Sequence, residues 1–274
     1  MHCGAAGMQP AISRKVSDMP YHGFDLTNSS VVITGAGRGL GAGLAEAFAT
    51  AGARITIADL QPELAETTAK RLQNSGTAAI AVACDIRDAQ QVAELRDQAI
   101  AAFGTIDVWI NNAGINIPGP AATLELAEWN QIIATNLTGT FIGCRAAGEI
   151  MLARGRGSII NISSIHGHVG SYVHQAAAYN ASKAGVINLT RSLALEWGAQ
   201  GVRVNGISPG PLATELMTTR LANPEYVQLM MHRMAIKRVG TPEDVAGAAL
   251  FLAAPAAAWI TGQILAVDGG WLAA

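Results

Sequence analysis

The sequence predicts an α/β fold: a single Rossmann-like domain whose seven-stranded parallel sheet is doubly wound, with helices on both faces. Three observations predict it. Seven short runs are rich in apolar residues, each is apolar almost without interruption rather than in alternation, and helix-patterned stretches stand between them. Near-continuous apolar runs belong to strands buried on both faces, as in a covered parallel sheet, and repeated β-α units demand right-handed crossovers.

The elements follow in order. Ser30 to Thr34 is the first strand, before a helix near 40–51. Arg54 to Ala58 is the second, before a helix near 62–75, and Ala79 to Ala83 the third, before a helix near 88–103 that Asp88 opens. Ile106 to Ile110 and Ser158 to Ile162 are the fourth and fifth strands, with one long helical stretch over 122–154 between them. A helix over 178–199 leads to the sixth strand, Val202 to Ile207. Thr241-Pro242-Glu243 then opens the helix over 242–254 that precedes the last strand, Ile264 to Val267. No linker interrupts the alternation after residue 24, so residues 24–274 are read as one domain. Residues 1–23 lack any apolar period and mix Gly, Pro, Ser and charges. They are read as a flexible extension, with a partner-binding arm as the alternative.

Composition excludes several function classes. The 274 residues are 50% apolar with 30 glycines, which suits a packed core and argues against disorder. Eighteen basic and 20 acidic residues give a formal charge of −2, and the basic ones are scattered, so no nucleic-acid footprint is built. Only 14% of residues are charged, which points to a surface partly covered by other subunits. Cys3, Cys84 and Cys144 fit neither a redox pair nor a metal knuckle, so a reducing, cytoplasmic setting is expected. The longest apolar run, Ala246 to Ile260, contains Pro255 and falls short of the about 20 residues a bilayer span needs, so no membrane role is expected.

The first chemically loaded segment, Thr34-Gly35-Ala36-Gly37-Arg38-Gly39-Leu40-Gly41, follows a strand and opens a helix. Glycines let the backbone turn tightly and approach a pyrophosphate, and the helix N-terminus offers free N–H groups. Asp59 ends the second strand 18 positions past Gly41, where a carboxylate grips the adenosine ribose and favours NAD over NADP. Arg38 pulls the other way, because a guanidinium beside the turn could pair with a 2′-phosphate. Asp59 could also simply cap the next helix.

The second segment is Tyr179-Asn180-Ala181-Ser182-Lys183. Tyr and Lys at i and i+4 share a helix face, so the ammonium can stand near a phenol that otherwise titrates near about 10 and favour its phenolate. Such a pair alone is more often structural. Ser163-Ser164 adds weight by ending the preceding strand at the sheet edge where ligands of open α/β folds bind. A hydroxyl of that pair could hold a substrate oxygen while Tyr179 exchanges its proton.

These residues resemble the compact, single-domain branch of the short-chain dehydrogenase/reductase family over about Phe24 to Trp271. The glycine motif, Asn111-Asn112-Ala113-Gly114 and Tyr179 to Lys183 stand in the family's order. The resemblance implies a catalytic set of Ser164, Tyr179, Lys183 and Asn136, the last supporting a water that links Lys183 to solvent. It implies a cofactor site from Gly35, Arg38, Gly39, Leu40, Gly41, Asp59, Asp85, Ile86, Asn112, Ala113, Gly114, Tyr179, Lys183, Pro209, Gly210, Leu212 and Thr214. Within that set Asp85 with Ile86 meets adenine, Asn112 to Gly114 line the adenosine-ribose side, and Thr214 contacts the nicotinamide carboxamide. Asp268-Gly269-Gly270 resembles the C-terminal signature near subunit contacts, and a homotetramer is implied, touching through 88–103, 122–154 and the C-terminus.

Ser164 and Tyr179 are 15 positions apart, longer than in many members of the family, and some polyol and sugar reductases resemble this longer loop. His166, Gln175, Tyr172, Asn116 and the segment Leu212 to Met234 are read as the substrate wall, with polar groups suited to a sugar, polyol or hydroxyketone. His166, His168 and His174 lack completing ligands, so no metal is expected. The Met-rich run Leu229 to Met234 reads as a lid or as an interface helix. The expectation is an NAD-dependent oxidoreductase of small secondary alcohols. The alternatives are an NADPH-dependent 3-oxoacyl thioester reductase, a non-catalytic dinucleotide sensor and, last, an extended-branch epimerase or dehydratase.

Overall fold

The computed structural model describes residues 23–170, 175–214, 217 and 221–273. Of the expectations above, the extension over residues 1–22, Cys3, Tyr172 and His174 lie outside the described residues.

Seven parallel strands form one sheet in the order β3-β2-β1-β4-β5-β6-β7. They are β1 Ser30–Thr34, β2 Arg54–Asp59, β3 Ala79–Ala83, β4 Val108–Asn111, β5 Gly157–Ile162, β6 Val202–Pro209 and β7 Ile264–Val267. Side-chain alternation divides each inner strand between two apolar layers. Val31 and Ile33 pack with α1 (Gly39–Thr50), α2 (Pro62–Asn74) and α8 (Pro242–Ala253). Val32 and Trp109 face the other layer, with α3 (Ala89–Phe103), α5 (Gly139–Arg154) and α6 (Ala177–Trp197). The doubly wound sheet expected from the apolar runs is therefore the one seen. The edge strand β7 differs, because half of its residues are exposed where a pure core strand was expected. An edge has a neighbour on one side only.

A second difference lies in the stretch read as one helix over 122–154. α4 (Leu126–Ile133) and α5 are separated by one π-helical turn, Ala134–Thr138, which carries the fully buried Asn136. Such a bulge leaves the apolar pattern nearly continuous, so periodicity alone does not betray it. α7 (Pro224–Arg233) opens with the Asn223 side chain accepting from the Glu225 and Tyr226 N–H groups. The strand order reverses between β1 and β4, and the crevice at their C-terminal ends is where an open sheet of this kind binds ligands.

A buried chain of hydrogen bonds fixes α6 against the sheet. The Trp109 indole donates to Asn111 Oδ1 (2.8 Å), Asn111 Nδ2 to Asn161 Oδ1 (2.8 Å), and Asn161 Nδ2 to Thr190 Oγ1 (3.0 Å). Cys144 Sγ lies 3.3 Å from both asparagine side chains. Such a network stabilises only when every member is satisfied. Gly143 makes room for it, since a Cβ there would run into the Asn111 amide and sit 3.0 Å from the Trp109 indole nitrogen. Gly143→Ala should therefore cost about 1–3 kcal/mol by overpacking. Urea unfolding checks this, and a midpoint within error of wild type would show that the network yields freely.

Candidate active site

At the C-terminal end of β1 the chain turns through Gly35 (φ 61°) and Gly39 (φ 55°), conformations that favour glycine. Asn112 braces this turn from β4: its Nδ2 donates to the carbonyls of Thr34 (2.9 Å) and Gly35 (3.0 Å). Thr34 Oγ1 in turn accepts from the N–H groups of Asn112 (3.1 Å) and Ala113 (3.2 Å). The Asn112 amide, implied to face the adenosine ribose, is thus committed to the backbone. Asp59 is likewise part of the scaffold. Its Oδ2 accepts from the Gly37 N–H (2.9 Å) and its Oδ1 from the Gln61 N–H (3.1 Å), so it both ties the glycine turn to β2 and steadies the entry to α2.

These residues fit a dinucleotide. α1 has Arg38 at its N-cap position, with no side-chain cap and no acidic residue in its first turn, whereas the Asp88 side chain fills that place on α3. An uncapped N-terminus is suited to an anion. Above it, a Cβ at Gly39 would project towards Thr214, with no described residue nearer than 3.8 Å, which leaves room for a pyrophosphate among the described residues. Arg38 is exposed beside it. Ile86 packs towards Gly139, and the Asp85 carboxylate is held by the Arg87 guanidinium (2.6 Å), which keeps it below its ordinary range. Pro209 and Gly210 close the far side. Gly210 N–H donates to the Val267 carbonyl (2.9 Å), a Cβ on it would crowd Asp268, and Leu212 bridges to Gly240.

The second cluster forms where β5 and α6 meet. Lys183 is buried, and its ammonium donates to the Ile162 carbonyl (2.9 Å) and lies 5.8 Å from the Tyr179 ring centroid. Burial lowers the ammonium to about 8. Asn136 Oδ1 accepts from the Ile115 N–H (2.8 Å), while its Nδ2 donates to the Ile115 carbonyl (2.9 Å) and to Ser182 Oγ (3.0 Å). Both Asn136 and Lys183 flank Gly114, whose missing side chain leaves them space. Ser164 Oγ accepts from the His166 N–H (3.1 Å) and hydrogen-bonds Tyr179. Ser163 points the other way and donates to the Lys183 carbonyl (2.9 Å). The dominant influence on Tyr179 is burial, which raises the phenol, opposed by the Ser164 hydrogen bond. The lowering expected from Lys183 does not dominate, because that ammonium is itself dehydrated and spent on a carbonyl.

The residues read as the substrate wall are only partly gathered. The Gly119 N–H donates to the Gln175 carbonyl (2.8 Å), which brings the run containing Asn116 beside Gln175; both side chains are exposed. His166 sits on the 3-10 turn Ile165–Gly167 directly after Ser164. Met230 of α7 and Met234 after it pack against Ile165 and Trp271. The segment's residues 215, 216 and 218–220 lie outside the described residues. Thr34 and Ser182 were missed from sequence. Ser182 stands inside the Tyr179–Lys183 motif and donates locally to the Tyr179 carbonyl (2.7 Å), but the bond it accepts from Asn136 is tertiary and carries no local signal. Among the described residues no three His, Cys, Asp or Glu side chains cluster as metal ligands would, and no helix is long and apolar enough to cross a membrane.

Comparison with known proteins adds three findings. A family model described as enoyl-(acyl carrier protein) reductase matches residues 35–272. A D-threitol dehydrogenase of Mycolicibacterium smegmatis is 42% identical over 248 residues, 90% of this chain and 94% of that protein. Two solved structures superpose closely. One is a gluconate 5-dehydrogenase from Burkholderia cenocepacia in complex with NADP and tartrate (TM-score 0.88, 36% identity, 92% of this chain and 98% of that one). The other is a 7α-hydroxysteroid dehydrogenase complexed with NADH and 7-oxo glycochenodeoxycholic acid (TM-score 0.87, 35% identity, 92% and 98%).

The buried ammonium has a pH signature. In the folded, cofactor-free protein Lys183 loses its proton near 8, and in the unfolded chain near 10.5, so between those values the unfolded state binds more protons and stability rises with pH. Burial holds Cys84 and Cys144 up at about 12, which acts in the opposite sense above about 9. Wild type must therefore be compared with Lys183→Met. The stability of wild type relative to that variant should climb from about pH 8 to 10.5 in urea titrations; a flat difference would put the ammonium in water.

Proposed function

The chain belongs to the short-chain dehydrogenase/reductase family and is an oxidoreductase acting on CH–OH groups; from that premise we propose that it interconverts a small secondary alcohol of the polyol, sugar or hydroxyketone type and its ketone with NAD(H). The observation that carries this is the meeting of the Ser164 hydroxyl, the Tyr179 phenol and the buried Lys183 ammonium beside the uncapped glycine turn.

When bound, the nicotinamide dinucleotide supplies the hydride acceptor or donor. Gly35, Gly39, Leu40 and Gly41 would hold its phosphates, Asp59 its adenosine ribose, and Thr214 its nicotinamide end. As the phenolate, Tyr179 takes the proton from the substrate hydroxyl in the oxidative direction, and the phenol so formed returns it in the reductive one. Ser164 holds that oxygen by hydrogen bond as it becomes a carbonyl. Lys183 sets the charge beneath the phenol, and Asn136 holds the π-helical turn and α6 in register so that a water can reach the ammonium.

The carboxylate of Asp59 supports NAD, since a 2′-phosphate would meet like charge; exposed Arg38 is the feature in favour of NADP. Residues 24–274 act as one domain. Exposed Leu126, Phe141 and Trp259 on α4, on α5 and ahead of β7 support burial between subunits of a homotetramer, and the free buried Cys84 and Cys144 suit a reducing cytoplasm. A 3-oxoacyl thioester reductase would use the same three side chains and is the reading to test against.

The test follows absorbance of reduced nicotinamide with NAD and with NADP against polyols, sugar acids, secondary alcohols and, in reverse, 3-oxoacyl thioesters. Turnover of a polyol or sugar with NAD is expected, and thioester reduction with NADPH alone would overturn the proposal. Tyr179→Phe should lower kcat at least about 100-fold, the lower range of acid–base catalysis, with NADH binding retained. Appreciable activity in that variant would remove the phenol from the proton's path. Asp59→Arg should reverse the NAD/NADP preference in kcat/KM, and an unchanged ratio would refute the ribose-gripping role.

A further inference from the structure

Three histidines between Ser164 and Tyr179 drew attention in the sequence, and the reaction above uses none of them as an acid or base. His168 has a defined place. Its Nε2 lies 2.9 Å from Ser208 Oγ, a fully buried hydroxyl on β6 next to Pro209 and Gly210. The 3-10 turn that carries His168 begins at Ser164 and is wedged on its other side against α6. There, a Cβ at Gly167 would come within 2.8 Å of the Lys183 carbonyl and of the Ile187 side chain. Inside the turn, the Gly167 N–H donates to the Ser164 carbonyl (2.9 Å) and the His168 N–H to that of Ile165 (3.0 Å).

We propose that His168 is a positioning residue: its hydrogen bond to Ser208 clasps the turn behind Ser164 onto β6, so that Ser164 and the Pro209-Gly210 segment are held at one fixed distance. The inference rests on the oxidoreductase reading for its catalytic consequence and on geometry alone for the clasp. Without the clasp the turn keeps its contact with α6 but, among the described residues, no other side-chain hydrogen bond ties its C-terminal end to β6, and a buried hydroxyl loses a partner, which is costly in itself. The imidazole faces Arg191 of α6 and Asp268 after β7. Burial and Arg191 lower its pKa, while Asp268 opposes them, so the ring is neutral at pH 7, where either tautomer can complete the bond.

The experiment compares His168→Ala, Ser208→Ala, the double variant and His168→Gln with wild type by amide hydrogen exchange over 164–169, without added cofactor, and by NADH fluorescence titration and steady-state kinetics. Exchange in the turn should speed up about tenfold in each alanine variant and no further in the double one, as for two ends of a single bond. His168→Gln, which keeps a side-chain donor and acceptor, should restore most of the protection. Displacing Ser164 by a fraction of an ångström should lower kcat about 10- to 100-fold while NADH affinity stays within about twofold. Exchange unchanged, or effects that add in the double variant, would overturn the clasp. Faster exchange with unchanged kcat in an active enzyme would overturn its role in positioning. If wild type turns over no alcohol while the exchange pattern appears as described, the clasp stands and the oxidoreductase proposal fails.

Discussion

The ammonium of Lys183 is the constraint around which the rest of the site is arranged. A dehydrated cation in an apolar interior costs several kcal/mol unless something answers it, and here the Ile162 carbonyl does so at 2.9 Å. That bond requires β5 to end where it does and α6 to start over it, with Lys183 one turn past Tyr179. Ser163 then closes the arrangement from the backbone side by donating to the Lys183 carbonyl (2.9 Å). Because the two serines alternate across the strand, committing Ser163 to α6 leaves Ser164 facing Tyr179. The same geometry that satisfies a buried charge therefore presents the hydroxyl and phenol to one another.

The glycine turn is supported from the neighbouring strands rather than from its own. Asn112 of the β4 end and Asp59 of the β2 end each hold a backbone group of the turn, so its shape is set across three adjacent strands. This leaves the start of α1 without a capping side chain, a local deficit that a bound phosphate would fill. Stabilising the turn and keeping its mouth open are compatible because the bracing groups approach from below, through Thr34, Gly35 and Gly37.

Much of this was legible in the sequence because it depends on local pattern. The apolar runs from Ser30 to Val267 marked the parallel strands, since burial on both faces suppresses alternation. Tyr179 and Lys183 stood out by their spacing only together with the hydroxyls of Ser163-Ser164 at the same sheet edge. The π-helical turn at Asn136 did not, because one extra residue in a turn barely disturbs the apolar period. The chain of Trp109, Asn111, Asn161 and Thr190 was equally silent. Its members are far apart in the chain and polar, and only the pairing of β4 with β5 brings Asn111 opposite Asn161. Asp59 was legible as an acid at the end of a strand but not as a strut of the glycine turn.

The apolar cluster around α7 is built on a different principle. Met230 of α7 and Met234 just past its end, with Ile165 and Trp271, form a small apolar cluster separate from both main layers of the core. It is anchored by its own contacts: the Arg233 guanidinium stacks 5.6 Å from the Trp271 ring, and Lys237 donates to the Met231 carbonyl (2.7 Å). Since neither layer of the sheet packs against these methionines, their size can change without disturbing the strands that hold Ser164 and Lys183. Methionine is also the apolar side chain that adapts best to an irregular surface. Among the described residues of this cluster, Ile165 is the one adjacent to Ser164. Ser164, Tyr179 and Lys183 are thus fixed by the sheet edge and α6, whereas the α7 cluster packs on its own and joins them through the 3-10 turn.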